Sequence, residues 1–228
     1  MGMDLAGLTP LQLAGHIDHT LLRADATAAD IERLCAEACE HSFLCVCVNG
    51  ARVRHARRLL DGSAVRVASV AGFPLGAMAA TAKCSEIAAA VDDGADEIDV
   101  VLNIGRLKDG DTLYVARELR DAVGAAAGRT VKVILETCLL ARGEKVLGCR
   151  LAVESGAHFV KTSTGFSTGG ATAEDVALMR ETVGPDFGVK AAGGIRDAAT
   201  ALAMIAAGAT RIGTSSGVAI VRGLADGE

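Results

Sequence analysis

A chain of 228 residues, half of them hydrophobic, with 27 glycines and only 3 prolines, can bury an ample core as one large α/β domain or two small ones. Its formal charge of −5 is spread along the chain, no basic stripe occurs, and with no Trp and a single Tyr there is no stacking platform for bases, so nucleic acid is a poor candidate partner. No apolar run approaches the roughly 18 residues of a membrane span, and Met1-Gly2-Met3-Asp4-Leu5 lacks the basic and apolar segments of an export leader, so the chain reads as soluble, cytoplasmic and without membrane contact.

Strand-like apolar runs fall at residues 17–22, 44–49, 65–72, 97–104, 131–137, 158–164, 188–193 and 211–214. Between them, apolar positions recur at three- and four-residue spacing over residues 28–40, 51–60, 79–93, 111–126, 142–155, 173–183 and 198–207, which predicts helices. Gly94, Gly156 and Gly208 each stand just past a helix and before a strand, as a helix C′ position favours. Alternating strands and helices with short connections require right-handed crossovers and a parallel sheet, and eight such units match a small (β/α)8 barrel spanning residues 1–228 as a single domain. A doubly wound open sheet competes, but neither G-x-G-x-x-G after an early strand nor a Walker-type loop occurs, and glycine and polar signals cluster at strand C-terminal ends.

Seven cysteines, an odd number with no export signal, imply reduced thiols. Cys35, Cys39, His41, Cys45 and Cys47 invite a zinc reading. Without a C-x-x-C or a second ligand pair elsewhere, core packing is the default and no metal is expected. Cys47, on one face of strand two with Cys45 and Asn49, is expected to point into the barrel near the substrate, an inert core thiol being the competing reading.

Lys161 in Val160-Lys161-Thr162-Ser163-Thr164-Gly165 and Lys190 in Val189-Lys190-Ala191-Ala192-Gly193-Gly194 sit inside apolar runs. An interior ammonium must be paired or lose its proton, and two amines facing one cavity depress each other's affinity for protons, which is how a nucleophilic amine arises at neutral pH. Either lysine alone reads as a strand-end residue whose head reaches water; the pair, with small residues just beyond, reads as chemistry. Asp99 shares a strand face with Val101 and Asn103 and needs a cationic partner that interior lysines supply. Asp18 and His19 are weaker signals, consistent with packing support. Gly193-Gly194 before Ile195-Arg196 and Gly213-Thr214-Ser215-Ser216 before a last short helix are candidate anion sites, since backbone N–H groups at helix starts after strands seven and eight bind phosphate in barrels; Gly165 adds one more N–H.

These segments, together with Ile17-Asp18-His19-Thr20-Leu21-Leu22 and Glu97-Ile98-Asp99-Val100-Val101, resemble the deoxyribose-phosphate aldolase family over residues 10 to 220. The resemblance implies a metal-free, cofactor-free class I aldolase that reversibly cleaves 2-deoxy-D-ribose 5-phosphate to D-glyceraldehyde 3-phosphate and acetaldehyde. Lys161 would be the Schiff-base lysine, with Asp99 and Lys190 as proton donor and acceptor. Some family members carry a tyrosine near the C-terminus; here no tyrosine follows Tyr114, so a tail-mediated proton step is not expected. A barrel isomerase or another sugar-phosphate lyase, with Lys161 as a mere electrostatic clamp, and a catalytically silent sugar-phosphate sensor are the alternatives. The partners expected are small molecules, a phosphorylated deoxy sugar and acetaldehyde; the sequence leaves open whether the chain forms homo-oligomers.

Overall fold

The computed structural model describes residues 8–225, so the N-terminal residues read above for an export signal and the last three residues of the chain lie outside the described residues. Eight strands, β1 (Ile17–Leu21), β2 (Cys45–Val48), β3 (Arg66–Ala71), β4 (Glu97–Val101), β5 (Thr130–Ile134), β6 (Phe159–Lys161), β7 (Gly188–Ala192) and β8 (Arg211–Thr214), close into one barrel. Each strand runs parallel to the next and β8 pairs back onto β1, which leaves no sheet edge.

All eight predicted strands are present, but most stop up to three residues early. The residues beyond the last ladder bond build loops instead. Asn103 leaves the barrel to cap α5 (Ile104–Lys108), its Oδ1 accepting the Arg106 N–H at 3.2 Å, so it does not share the inward face expected with Asp99. The predicted helices appear as α2 (Ala28–Glu40), α4 (Ala80–Asp92), α6 (Thr112–Ala125), α7 (Arg142–Glu154), α8 (Ala173–Val183) and α9 (Ala198–Ala206), while residues 51–60 split into a 3-10 turn (Gly50–Arg52) and α3 (Val53–Leu59). Two short helices had no sequence expectation: α1 (Pro10–Ala14), which precedes β1, and α5; α10 (Gly217–Ala225) is the expected last helix.

Local chemistry starts and stops these helices. The Thr27 hydroxyl accepts the Asp30 N–H while the Asp30 carboxylate accepts the Thr27 N–H, a reciprocal cap on α2, and Asp111, Thr172 and Asp197 cap α6, α8 and α9. Gly94, Gly156 and Gly208 take φ of 104°, 81° and 111° after their helices, a region open to glycine at little cost.

Apolar residues fall into two sets. The larger lies between the sheet and the helix ring and includes Ile17, Val46, Ile98, Val100, Val133 and Val189. The smaller, Leu22, Cys45, Cys47, Ala68 and Val70, fills only one side of the barrel interior. The other side is charged: Asp18, Glu97, Asp99, Lys132, Lys161, Lys190 and Arg211 are all at least 94% buried. A barrel interior is ordinarily packed with branched apolar residues. This one is not.

Candidate active site

Strand alternation aims these side chains inward. Register pairs Asp99 with Lys132 across β4 and β5, and Lys161 with Lys190 across β6 and β7. Asp99 Oδ2 accepts hydrogen bonds from Lys161 Nζ and Lys190 Nζ, both at 2.8 Å, and its Oδ1 accepts one from Lys132 Nζ at 2.6 Å. Lys132 also pairs with Glu97 at 2.7 Å. Lys190 bonds to Asp18, Asp18 pairs with Arg211 at 2.6 Å, and Arg211 returns to Glu97 at 3.0 Å.

Charge counting explains the protonation states. Three carboxylates balance three of the four cations. Burial opposes charge on Lys190, but Asp18 and Asp99 outweigh it and hold its pKa well above the lysine range. For Lys161 the balance tips the other way: burial, joined by the neighbouring Lys190 charge, overcomes the single carboxylate of Asp99 and lowers its pKa. Burial works against ionised Asp99 too, yet Lys132, Lys161 and Lys190 together keep it far below the usual carboxylate range. The result is an Asp99 that rests ionised, a charged Lys190, and at Lys161 the one amine of the cluster inclined to neutrality.

Lys161 ends β6 and reaches the C-terminal mouth of the barrel. There a cavity of about 310 Å³ is lined by Lys161, Gly165, Gly193, Gly194, Gly213, Thr214 and Ser215, with Arg23 and Arg196 at its rim. The backbone N–H groups of Gly165, Gly194 and Ser215 meet no acceptor among the described residues. Such donors beside a cation form a ready anion cradle. Arg23 is held by Asp25 and Asp30, at 2.8 and 2.5 Å, whereas Arg196 forms no ion pair among the described residues. The cradle is braced from below. Glu136, in the left-handed region at φ 57°, takes the Thr164 N–H at 3.2 Å and also the Thr164 hydroxyl; Thr164 Oγ1 in turn accepts the Phe166 N–H, pinning Gly165 between them.

The structure thus brings together Lys161, Asp99 and Lys190 beneath a cavity bounded by Gly165, Gly193, Gly194, Gly213, Thr214 and Ser215. Ser216 is the exception: it does not line the cavity, and its N–H is spent on Thr214 Oγ1 at 2.9 Å, which closes the turn. Cys47 does face the interior, fully buried and close enough to feel Asp99, Lys190 and Lys161, and burial pushes its thiol up to about 11. Among the described residues the cysteines weighed for zinc do not converge. The one set of potential ligands, Asp18, Cys45 and Glu97, has both carboxylates ion-paired and a thiol that burial keeps protonated.

Sequence reasoning missed Lys132, Glu97 and Arg211 and underweighted Asp18, which bonds Lys190 and Arg211 directly. The signal for Lys132 was present, since Val131-Lys132-Val133-Ile134 buries a lysine in the same apolar frame as Lys161. Arg196 was visible only as the neighbour of the glycine pair.

The model of the DeoC/LacD family of aldolases matches residues 13–223. The chain is 58% identical over 212 residues to a deoxyribose-phosphate aldolase of Alkaliphilus oremlandii, covering 92% of this chain and 96% of that protein. It is 57% identical to one of Streptococcus pneumoniae, over 96% of this chain and 100% of the other. The tetrameric deoxyribose phosphate aldolase structure from Aeropyrum pernix superposes with a TM-score of 0.90 at 34% identity, covering 96% and 94% of the two chains. With a family match running through all eight strands and a lysine-rich barrel interior of the kind described, the chain belongs to the DeoC/LacD aldolase family.

Proposed function

We propose that this protein is a single-domain class I aldolase that cleaves 2-deoxy-D-ribose 5-phosphate reversibly into D-glyceraldehyde 3-phosphate and acetaldehyde through an imine on Lys161. The observation that carries the reading is the unequal pair of amines on one carboxylate: Lys190 has a second anion, Asp18, and Lys161 has none.

In the cleavage direction, neutral Lys161 Nζ attacks the aldehyde carbon of the open-chain sugar, and the carbinolamine loses water to give an iminium. Lys190, charged and within hydrogen-bond reach of Asp99, supplies the proton that lets the hydroxyl depart as water. The iminium then draws in the electron pair of the C2–C3 bond while the C3 hydroxyl proton passes to a base. Asp99, held ionised, is the acceptor in reach of both amines. Glyceraldehyde 3-phosphate leaves, the enamine is protonated at carbon, and water releases acetaldehyde and restores the amine. Because the iminium is the electron sink, the scheme has no step for a metal. Phosphate bound at Gly165, Gly194, Ser215 and Arg196 supplies remote binding energy that aligns C1 with Lys161.

Borohydride reduction in the presence of acetaldehyde tests the reading. The expected product is a stable adduct visible by intact mass and mapped to Lys161. A label confined to Lys190 would exchange the two roles, and no adduct at all would favour an isomerase or lyase in which Lys161 only clamps. We extend the tetrameric state of the Aeropyrum pernix relative to this chain as assembly into a homo-oligomer; a monomeric mass by light scattering would refute that extension.

A further inference from the structure

The interior charges form a closed circuit. Glu97, Lys132, Asp99, Lys190, Asp18 and Arg211 alternate in sign around a ring in which each touches both neighbours, Lys132 also lying 3.9 Å from Asp18 across it, and the circuit is neutral. Lys161 is the seventh member, attached only through Asp99. Two members stand far from any chemistry. Glu97 and Arg211 are the first residues of β4 and β8, at the opposite end of the barrel from the cavity, and neither lines it.

We propose that Glu97 and Arg211 are positioning residues that close this circuit, so that Asp99 and Lys190 stay charged and Lys161 is left as the amine that must give up its proton. The inference rests on Lys161 being the imine-forming residue. Buried ion pairs are weak sources of stability, and apolar replacements of similar volume are often neutral or better. A six-member circuit in place of branched aliphatic packing therefore calls for a reason beyond folding, and charge bookkeeping at Lys161 supplies one.

The groups facing each member set the expected signs. Glu97 meets Lys132 from β5, Arg211 from β8, the half-exposed Arg66 from β3 at 3.1 Å, and Cys45 from β2. Arg211 meets Asp18 from β1, Glu97 from β4, and the Phe159 ring from β6 at 5.4 Å. Lys161 meets Asp99, Lys190 and Cys47. Removing the Arg211 charge leaves the circuit net negative, so Lys161 holds its proton to higher pH. Removing the Glu97 charge leaves it net positive, so Lys161 releases its proton at lower pH.

The experiment is the pH dependence of borohydride trapping with acetaldehyde, and of kcat/KM, in the full-length parent, Glu97→Gln, Arg211→Met and the double variant. The acidic limb should move up by on the order of one pH unit in Arg211→Met, slowing imine formation at neutral pH about tenfold, and down by a similar amount in Glu97→Gln. In the double variant, which removes one charge of each sign, it should return to the parent position. A purely structural role would lower rates without opposite shifts and without cancellation, and any pattern other than opposed shifts that cancel overturns the proposal. If Arg211→Met does not fold, Arg211→Lys takes its place: with the charge kept, its limb must coincide with the parent's, and a displaced limb overturns the proposal. A parent protein that forms no adduct would sink the Schiff-base reading first, and the inference with it.

Discussion

Replacing Asp99 by Asn keeps the shape of the side chain and removes the one anion shared by Lys132, Lys161 and Lys190, whose Nζ atoms lie 2.6, 2.8 and 2.8 Å from it. Lys132 retains Glu97 and, at 3.9 Å, Asp18, and Lys190 retains Asp18, but each loses a close countercharge in a fully buried site. Breaking a buried ion pair from one side costs about 3–5 kcal/mol, which for a domain of this size corresponds to a Tm lower by roughly 6 to 20 °C. Losing the proton acceptor should lower kcat by about 10²–10⁴ on top of that. The pH dependence carries a sign. Asp99 has a depressed folded pKa, so its stabilisation is present above the unfolded carboxylate value, about 3.9, and is lost as pH falls toward the folded value. Between about pH 4 and 2, thermal denaturation of the parent should therefore lose stability faster than Asp99→Asn does. Calorimetry across that window and steady-state cleavage at neutral pH are the two assays. An Asp99→Asn protein with the parent Tm and an undiminished kcat would show that the three amines do not depend on this carboxylate.

Four further outcomes follow from the same geometry. Gly170→Ala would put a Cβ 2.2 Å from the Gly193 carbonyl oxygen, so the strand-seven loop must shift, and KM for the 5-phosphate should rise at least tenfold while KM for unphosphorylated deoxyribose changes little; equal losses would make the loop a structural turn. Arg196→Ala should weaken binding of the phosphorylated substrate by about 1.5–3 kcal/mol, the range for a hydrogen bond to a charged group, and flatten the salt dependence of KM, whereas Ser216→Ala should leave KM near the parent value because Ser216 does not line the cavity. EDTA should leave activity intact, and loss restored specifically by a divalent ion would refute a metal-free reaction. Inactivation by an α,β-unsaturated aldehyde should be slowed by bound sugar phosphate, weakened in Cys47→Met, and faster as pH rises toward the thiol's value of about 11; a Cys47→Met enzyme inactivated as fast as the parent would place the reactive thiol elsewhere.

Element type was legible along nearly the whole chain because both periodicities are strong, yet strand ends were not. In Val101-Leu102-Asn103-Ile104 the apolar alternation runs on past the last ladder bond, and only the Asn103 side chain, free to cap a helix, marks the exit. Short α5 has too few residues to show a helical period, and α1 too few to outweigh its position before the first strand. At the cavity, Gly165, Gly193 and Gly194, at positive φ, were readable as turns because they follow strands, whereas the engagement of the Ser216 N–H was not, because it depends on where Thr214 Oγ1 lies.

The charged interior was legible one residue at a time and illegible as a circuit. Lys161 and Lys190 drew notice through the small residues that follow them, while Lys132 is followed by Val133-Ile134-Leu135 and carries no such flag. The partners of Arg211 lie 193 and 114 residues away, at Asp18 and Glu97, and they meet only because β8 closes onto β1 and the interior faces of β1, β4 and β8 coincide. No local pattern encodes that closure. Once it is imposed, the count of three carboxylates against four cations becomes a statement about one space, and the odd cation is the one at the strand end that opens on the cavity. The nucleophile proposed at Lys161 is therefore singled out by the closure of the barrel as much as by its own flanking residues.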